Sequence, residues 1–343
     1  MAPKDQSDTV PPLCEEDIGP QIEWVPEEVE ARPDPVQTRI VWRNVVIFSI
    51  LHLACVYGLF LIPSAKPLTW LFNYVMFLVA AVSVTAGAHR LWSHRSYKAK
   101  LPLRIMLMLF NFAAGQNHLI EWCRDHRVHH KYSETTADPH NAKRGFFFAH
   151  VGWLLCKKHP DVIRKGKQLD FSDLYGDPVL RFQCRVYIPM TILMIFVMPT
   201  VLPWLLWNES LWVAYFLAIT RYILTLNATW LVNSAAHMWG MRPYDKHISP
   251  AENVLVTIGA IGEGFHNYHH TFPNDYATSE FGSRLNFTTI FINLMAKIGW
   301  AYDLKTMSKE VIEARKRRTG CLSSESKPTR PLQTMANSNA KQL

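Results

Sequence analysis

LPLRIMLMLFNFAAGQNHL, residues 101–119, is the stretch on which the fold turns. At about 1.5 Å per residue it is long enough to cross a bilayer as a helix. Arg104, Asn111, Gln116, Asn117 and His118 interrupt it. It separates two histidine clusters, HRLWSH at 89–94 and HRVHH at 126–130. If it crosses, the clusters stand on opposite membrane faces. If it folds back, they can share one site. Its polar interruptions favour an interfacial or protein-buried helix.

Four other stretches, about 41–62, 69–88, 186–206 and 211–231, are apolar enough to span. The links PSAKPL (63–68) and WNES (207–210) are short enough to make two helical hairpins. Pro189, Pro199 and Pro203 are expected to kink the third span. Residues 251–265 and 288–300 are too short to cross and read as interfacial or buried helices. The expected fold is an all-α membrane protein of four transmembrane helices, with a cytosolic helical cap holding the histidines. Segment 89–185 carries seventeen Lys/Arg, whereas the two links carry only Lys66. The positive-inside rule then puts this segment and both termini in the cytosol. The sequon Asn208-Glu209-Ser210 falls in a link too short to carry a glycan.

Charge divides the chain further. Residues 1–38 have a net charge of −8 and the remainder +16. The first segment reads as a disordered acidic, Pro-rich arm, residues 39–314 as the membrane domain, and 315–343 as a disordered basic and polar tail. The ArgLysArgArg run at 315–318 would face anionic headgroups. Topology accounts for the basic charge, and no nucleic-acid partner is expected. The six cysteines contain no C-x-x-C pair and read as reduced thiols. No basic-then-apolar leader opens the chain, so no cleavable signal peptide is expected.

The histidines carry the chemistry. His126, His129 and His130 are spaced i, i+3, i+4 and share one helix face, as do His266, His269 and His270 in HNYHH. His89 and His94 are five apart, about 140° around an ideal helix. They meet only if the helix ends or bends between them. His237 stands in NSAAH, just after the fourth span. These nine imidazoles exceed what one tetrahedral ion takes and suit two metals with four or five nitrogens each. Imidazole suits a redox metal such as iron. His52, inside the first span, reads as a hydrogen-bonded buried residue. His118, His140, His150, His159 and His247 lack the repeat and read as structural or supporting.

The blocks TAGAHRLWSHRSYKA, EWCRDHRVHHKYSE, DPHN, RGFFFAHVGW, NSAAH and GEGFHNYHHTFP resemble the integral-membrane fatty acyl-CoA desaturases of the stearoyl-CoA Δ9 type, over about 40–310. The resemblance implies two iron ions, one held by His89, His94, His126, His130 and their neighbours, the other by the remaining histidines. The division among His89, His94, His126, His129, His130, His237, His266, His269 and His270 stays open. Asn233 matches a residue that approaches iron through water. Asn44, Asn117, Arg124, Asp125, Lys157, Lys158 and Trp230 match acyl-CoA contacts, although the family often has Arg-Lys where this chain has Lys157-Lys158. The implied reaction places a cis double bond in a saturated acyl-CoA using O2, with the acyl tail inserted beside 71–84. The chain has no G-x-G-x-x-G and no HPGG haem segment, so electrons are expected from outside it; the resemblance implies cytochrome b5 and its NADH-dependent reductase as their source. The implied location is the endoplasmic reticulum membrane, with the active site cytosolic and lipid around it. Desaturation at another position, or hydroxylation or acetylenic-bond formation on the same scaffold, is the nearest alternative. A metal transporter would place ligands at mid-membrane, and these histidines lie beyond span ends. A structural zinc protein has no use for nine ligands.

Overall fold

The computed structural model describes residues 38–321; the acidic arm to residue 37 and the tail from 322 lie outside the described residues. Four helices are long and apolar enough to cross a membrane: Trp42–Ser64, Pro67–Ser93, Pro178–Trp207 and Leu211–Met238. The third starts at Pro178 rather than near 186. Asp177 caps it, accepting from the Val179 and Leu180 amides, and its first turns carry exposed Arg181 and Arg185. Those turns fail a hydropathy test yet continue the helix, since backbone hydrogen bonding does not require apolar side chains. Pro189 lies within this span, and a π-helical turn occupies Leu193–Val197, between Pro189 and Pro199.

The second and fourth spans form the inner pair. About 61% of the apolar stretch of each is buried in the protein, against 11% and 17% in the first and third. The first span lies close on the fourth at Gly58, where a Cβ would come within 2.1 Å of Thr220 Oγ1 and 2.8 Å of the Phe216 carbonyl. The two hairpin links are tied to each other through Glu209. Its buried carboxylate accepts from Thr69 Oγ1 (2.6 Å), the Lys66 amide (2.8 Å) and the Ser210 amide (2.9 Å).

Residues 101–119 do not cross. Leu101–Asn111 is helical, and the chain then turns back before Leu119–Tyr132. Gly115 (φ +60°) and Asn117 (φ +72°) make the left-handed turn. The spans satisfy the polar groups of this fold-back. Arg221 of the fourth span donates to the Ala113 carbonyl (3.0 Å) and the Tyr222 hydroxyl to the Gly115 carbonyl (3.1 Å). Gln183 of the third span accepts from the Leu119 amide and donates to Asn111, both at 2.8 Å. Non-helical backbone at such a depth is tolerated only where protein supplies partners. Arg221, buried within a span, supplies one of them.

The remaining helices form a cap at the other end of the spans from the links. In it, Val254–Gly259 exposes Leu255 and Ile258, and Phe287–Lys297 exposes Ile290 and Leu294. These apolar faces suit the interfacial reading given to both segments. The only strands among the described residues, Lys98–Ala99 and Ala301–Tyr302, pair antiparallel.

The tail boundary needs correcting. Residues 315–319 end a helix, Lys309–Thr319, that docks on the cap. Arg315 pairs with Asp245, Lys316 with Glu280 (2.7 Å), and the Thr319 carbonyl accepts from the Lys246 amide (2.8 Å). Composition suggested a disordered start to the tail, because the neutralising carboxylates are distant in sequence. Arg317 and Arg318 remain exposed.

Burial pushes the Glu209 carboxyl up, but its three donors outweigh that and hold its pKa below the ordinary range. Its contribution is therefore complete above the ordinary glutamate pKa and is lost as pH falls through the lowered folded value. Glu209→Ala should destabilise the protein by about 1.5–3 kcal/mol, the range for hydrogen bonds to a charged group. Thermal unfolding in detergent at neutral pH measures it. A melting temperature equal to that of the wild type would mean that the links are held by other contacts.

Candidate metal centre

The inner end of the second span supplies the first histidines. From Ser83 to Ser93 it is a fully buried π-helix. Its i→i+5 bonding brings residues five apart nearly into line, and the His94 amide donates to the His89 carbonyl at 3.0 Å. The two rings stand 4.8 Å apart. This resolves the 140° mismatch of an ideal α-helix.

The fold-back returns the chain as Leu119–Tyr132, which His118 caps by accepting from the Glu121 amide. This helix presents His126, His129 and His130 to the π-helix. His237 follows the fourth span, and the short helix His266–Thr271 supplies the last three. All nine converge in two sets. His89, His94, His126, His130 and His269 form one; His129, His237, His266 and His270 form the other, with ligand atoms within 4.8 Å of one another in each. HRVHH and HNYHH are thus each divided between the sets, although each lies on a single helix face.

The nitrogens are too close to be partnered by one another alone. His269 Nε2 lies 2.9 Å from His89 Nε2 and 3.0 Å from His130 Nε2; His94 and His126 meet at 2.9 Å. In the second set, His266 Nε2 lies 2.9 Å from His237 and 3.1 Å from His270. Facing neutral imidazoles share at most one proton per pair, so five around one point leave lone pairs aimed inward. Separations near 3.0 Å also equal the edge of an octahedral shell with bonds of roughly 2.1 Å. The donor sets fit metal ions.

Carboxylates hold the outer nitrogens. His89 Nδ1 meets Glu263 (2.8 Å), His129 Nδ1 meets Asp138 (2.8 Å), and His237 Nδ1 meets Glu134 (2.9 Å). Such partners fix ring orientation and direct Nε2 inward. Glu263 is itself gripped by fully buried Arg90 at 2.6 Å. Burial raises the Glu263 and Asp138 carboxyls, but Arg90 and His89 for one, and His129 for the other, hold both below the usual range. Burial and neighbouring imidazoles push His94, His126, His130, His266, His269 and His270 well below the ordinary histidine pKa. They are neutral, the form that binds metal. Burial pulls His129 down, yet Asp138 carries it above the ordinary value.

Sequence reasoning missed these three carboxylates. Each lies in a block with histidines, but nothing in their spacing distinguishes them from surface acids. His140 joins Asp138 and His129 in a small adjoining cluster, in a supporting position. His150 contacts Ser234 and Asn227, both at 3.0 Å, and His52 bonds the Phe48 carbonyl at 2.7 Å, so both serve packing.

Two cavities adjoin the histidines and share Trp122, His126, Thr229 and Asn233. One runs past His89 to Phe77, Ala81 and Val84. The other leads outward past Asn117, Asp125 and Trp230. Of the expected substrate contacts, these three line a cavity. Asn44 stands behind the wall and donates to the Leu154 carbonyl at 2.8 Å. Arg124 lies over the Phe171 ring, and Lys157 is exposed. Lys158 is bound by Asp125 (2.6 Å) and Glu121 (3.1 Å).

Asp138→Asn and Glu134→Gln should each lower metal affinity by about 10–100-fold without removing a nitrogen ligand. Metal retained after graded chelator dialysis, measured by mass spectrometry, reads this. Retention equal to that of the wild type in both variants would assign the carboxylates to folding alone.

The fatty acid desaturase profile matches residues 67–279. The chain is 66% identical to stearoyl-CoA desaturase 5 of Bos taurus over 282 residues, covering 82% of this chain and 84% of that one. It is 55% identical to the acyl-CoA Delta-9 desaturase of Acheta domesticus, covering 93% and 92%. It is 53% identical to stearoyl-CoA desaturase of Homo sapiens, covering 92% and 89%. With this profile covering more than half its length, and with such relatives, the chain is an enzyme of the fatty acid desaturase family.

Proposed function

We propose that the chain is an acyl-CoA desaturase of the endoplasmic reticulum membrane that introduces a cis double bond at Δ9, using O2 and two electrons from cytochrome b5 and its NADH-dependent reductase. The observation that carries this reading is the pair of histidine sets beside a largely apolar cavity. An alkyl chain has no acidic proton, so acid–base residues alone cannot open its C–H bonds. Iron held by His89, His94, His126, His130 and His269, and by His129, His237, His266 and His270, with Asn233 beside them, would supply oxygen activation.

The protein's part is to fix which carbons face the histidines. At the junction of the cavities, Gln116 donates to Thr229 (2.9 Å) and Trp122 to Gln116 (3.3 Å). This brace supports a bend in the bound chain. The tail then runs towards Phe77, Ala81 and Val84, in line with insertion beside 71–84. Outside, Asn117 and Trp230 suit the thioester end, and Arg124 and exposed Lys157 the phosphates of CoA. Lys158 acts through Asp125, whose carboxylate it holds. A cytosolic active site with both termini on the same side follows from the distribution of basic residues.

Expression in a desaturase-deficient yeast, with double bonds located by mass spectrometry, tests the whole reading; complementation with Δ9 products is expected. His126→Ala and His269→Ala should each abolish desaturation and lower bound iron. Full activity with normal iron in either variant would refute its ligand role. Ala81→Phe should shift the products toward chains shorter by two or more carbons, because Ala81 lines the cavity on its Phe77 side and a phenyl ring there would fill it. An unchanged product length would place the tail elsewhere.

A further inference from the structure

The first histidine set is approached from a second direction. His94 and His130, only half-buried, lie at a solvent-open depression lined also by Arg95, Arg127, Lys131 and Lys305. It shares no lining residue with the two cavities assigned to substrate. Arg95 and Arg127 share one counter-charge, Asp173, at 3.3 and 2.6 Å. Lys131 and Lys305 are exposed, and no carboxylate pairs with either among the described residues. The depression is therefore positively charged and borders two imidazoles of one set.

Forming one double bond takes two electrons and two protons from the acyl chain. Reducing O2 to two waters takes four of each, so two electrons must come from a donor and two protons from solvent. Among the described residues, the groups able to hold a metal ion are the two histidine sets and the Asp138 group. We propose that this depression is the electron-entry surface, on which a small acidic one-electron carrier protein docks and reduces the centre across His94 and His130, once per electron. This rests on the reading that a separate carrier feeds the enzyme. Exposed, unpaired Lys131 and Lys305 are the groups that would steer such a carrier, and steering by exposed charge acts mainly on association rate.

The test uses full-length, iron-loaded enzyme in zwitterionic nanodiscs and the reduced soluble domain of cytochrome b5. The wild type is compared with Lys131→Glu/Lys305→Glu and with Lys131→Arg/Lys305→Arg. Stopped-flow oxidation of the haem is followed across ionic strength. The charge reversal should lower the second-order rate constant by about tenfold at low salt and flatten its salt dependence, while the arginine pair keeps both. Iron content, melting temperature and single turnover driven by dithionite should stay at wild-type values in both variants. Equal rate constants in the wild type and the charge reversal would overturn the surface while leaving the carrier reading intact. A wild type that does not oxidise the carrier would overturn both. Loss of binding to anionic vesicles with unchanged carrier oxidation would assign the lysines to lipid headgroups and overturn the proposal.

Discussion

Two sets of imidazoles packed Nε2 to Nε2 are the constraint on which the rest of this structure depends. Each pair at about 2.9 Å can share one proton, but a ring of five leaves lone pairs that no hydrogen-bond arrangement in the protein answers. Buried polar atoms left in that state cost free energy, and protonating several of them would set like charges side by side in a low-dielectric interior. A metal in each set would relieve both problems. The surrounding fold must therefore hold the rings against one another.

Three devices do so, each from a different level of structure. The π-helix over Ser83–Ser93 turns a five-residue spacing into a shared direction. The fold-back at 112–118 brings the second cluster to the side of the first, and needs Arg221, Tyr222 and Gln183 from the spans to satisfy its backbone. Glu263, Asp138 and Glu134 fix the rings from behind. Arg90 extends the third device, because its guanidinium ties Glu263 to Thr289 and the Tyr276 carbonyl in the cap. The cap and the second span thus reach the metal site through one buried ion pair.

Much of this was legible in the sequence. Four apolar blocks with short links marked the spans, and the requirement that HRLWSH and HRVHH meet decided that 101–119 turns back. The nine histidines singled out by spacing and position fall in two sets. What the sequence did not carry was anything that depends on a partner far along the chain. The division of HNYHH, with His269 in one set and His266 and His270 in the other, depends on where the 119–132 helix lies against it. Glu134, Asp138 and Glu263 resemble ordinary surface acids until a ring nitrogen is opposite them. The docking of residues 315–319 needed Asp245 and Glu280. Arg221 would be costly in a span read alone, and its bond to the Ala113 carbonyl depends on a partner far along the chain. Composition averages along the chain, whereas these interactions are pairings across it.

Charge links the inner and outer layers of the site. Imidazole brings no negative charge, so two divalent or trivalent ions bound by histidine alone would leave several positive charges in a buried volume. The three carboxylates would be the compensation, each one ring removed from where an ion would sit. That separation has a chemical consequence. A carboxylate bound directly would neutralise the ion and occupy a position needed for oxygen or substrate, whereas one hydrogen-bonded to Nδ1 lowers the net charge and leaves the inner shell as it is. It also makes the imidazole a stronger donor, which favours the higher oxidation state. Glu263 is the exception that fits the pattern, because its charge is shared with Arg90 and so compensates the first set least. Glu263 would thus compensate the five-membered set less than Asp138 and Glu134 compensate the four-membered one, since no arginine among the described residues pairs with either of those two. The same five-membered set borders the basic, solvent-open depression at His94 and His130.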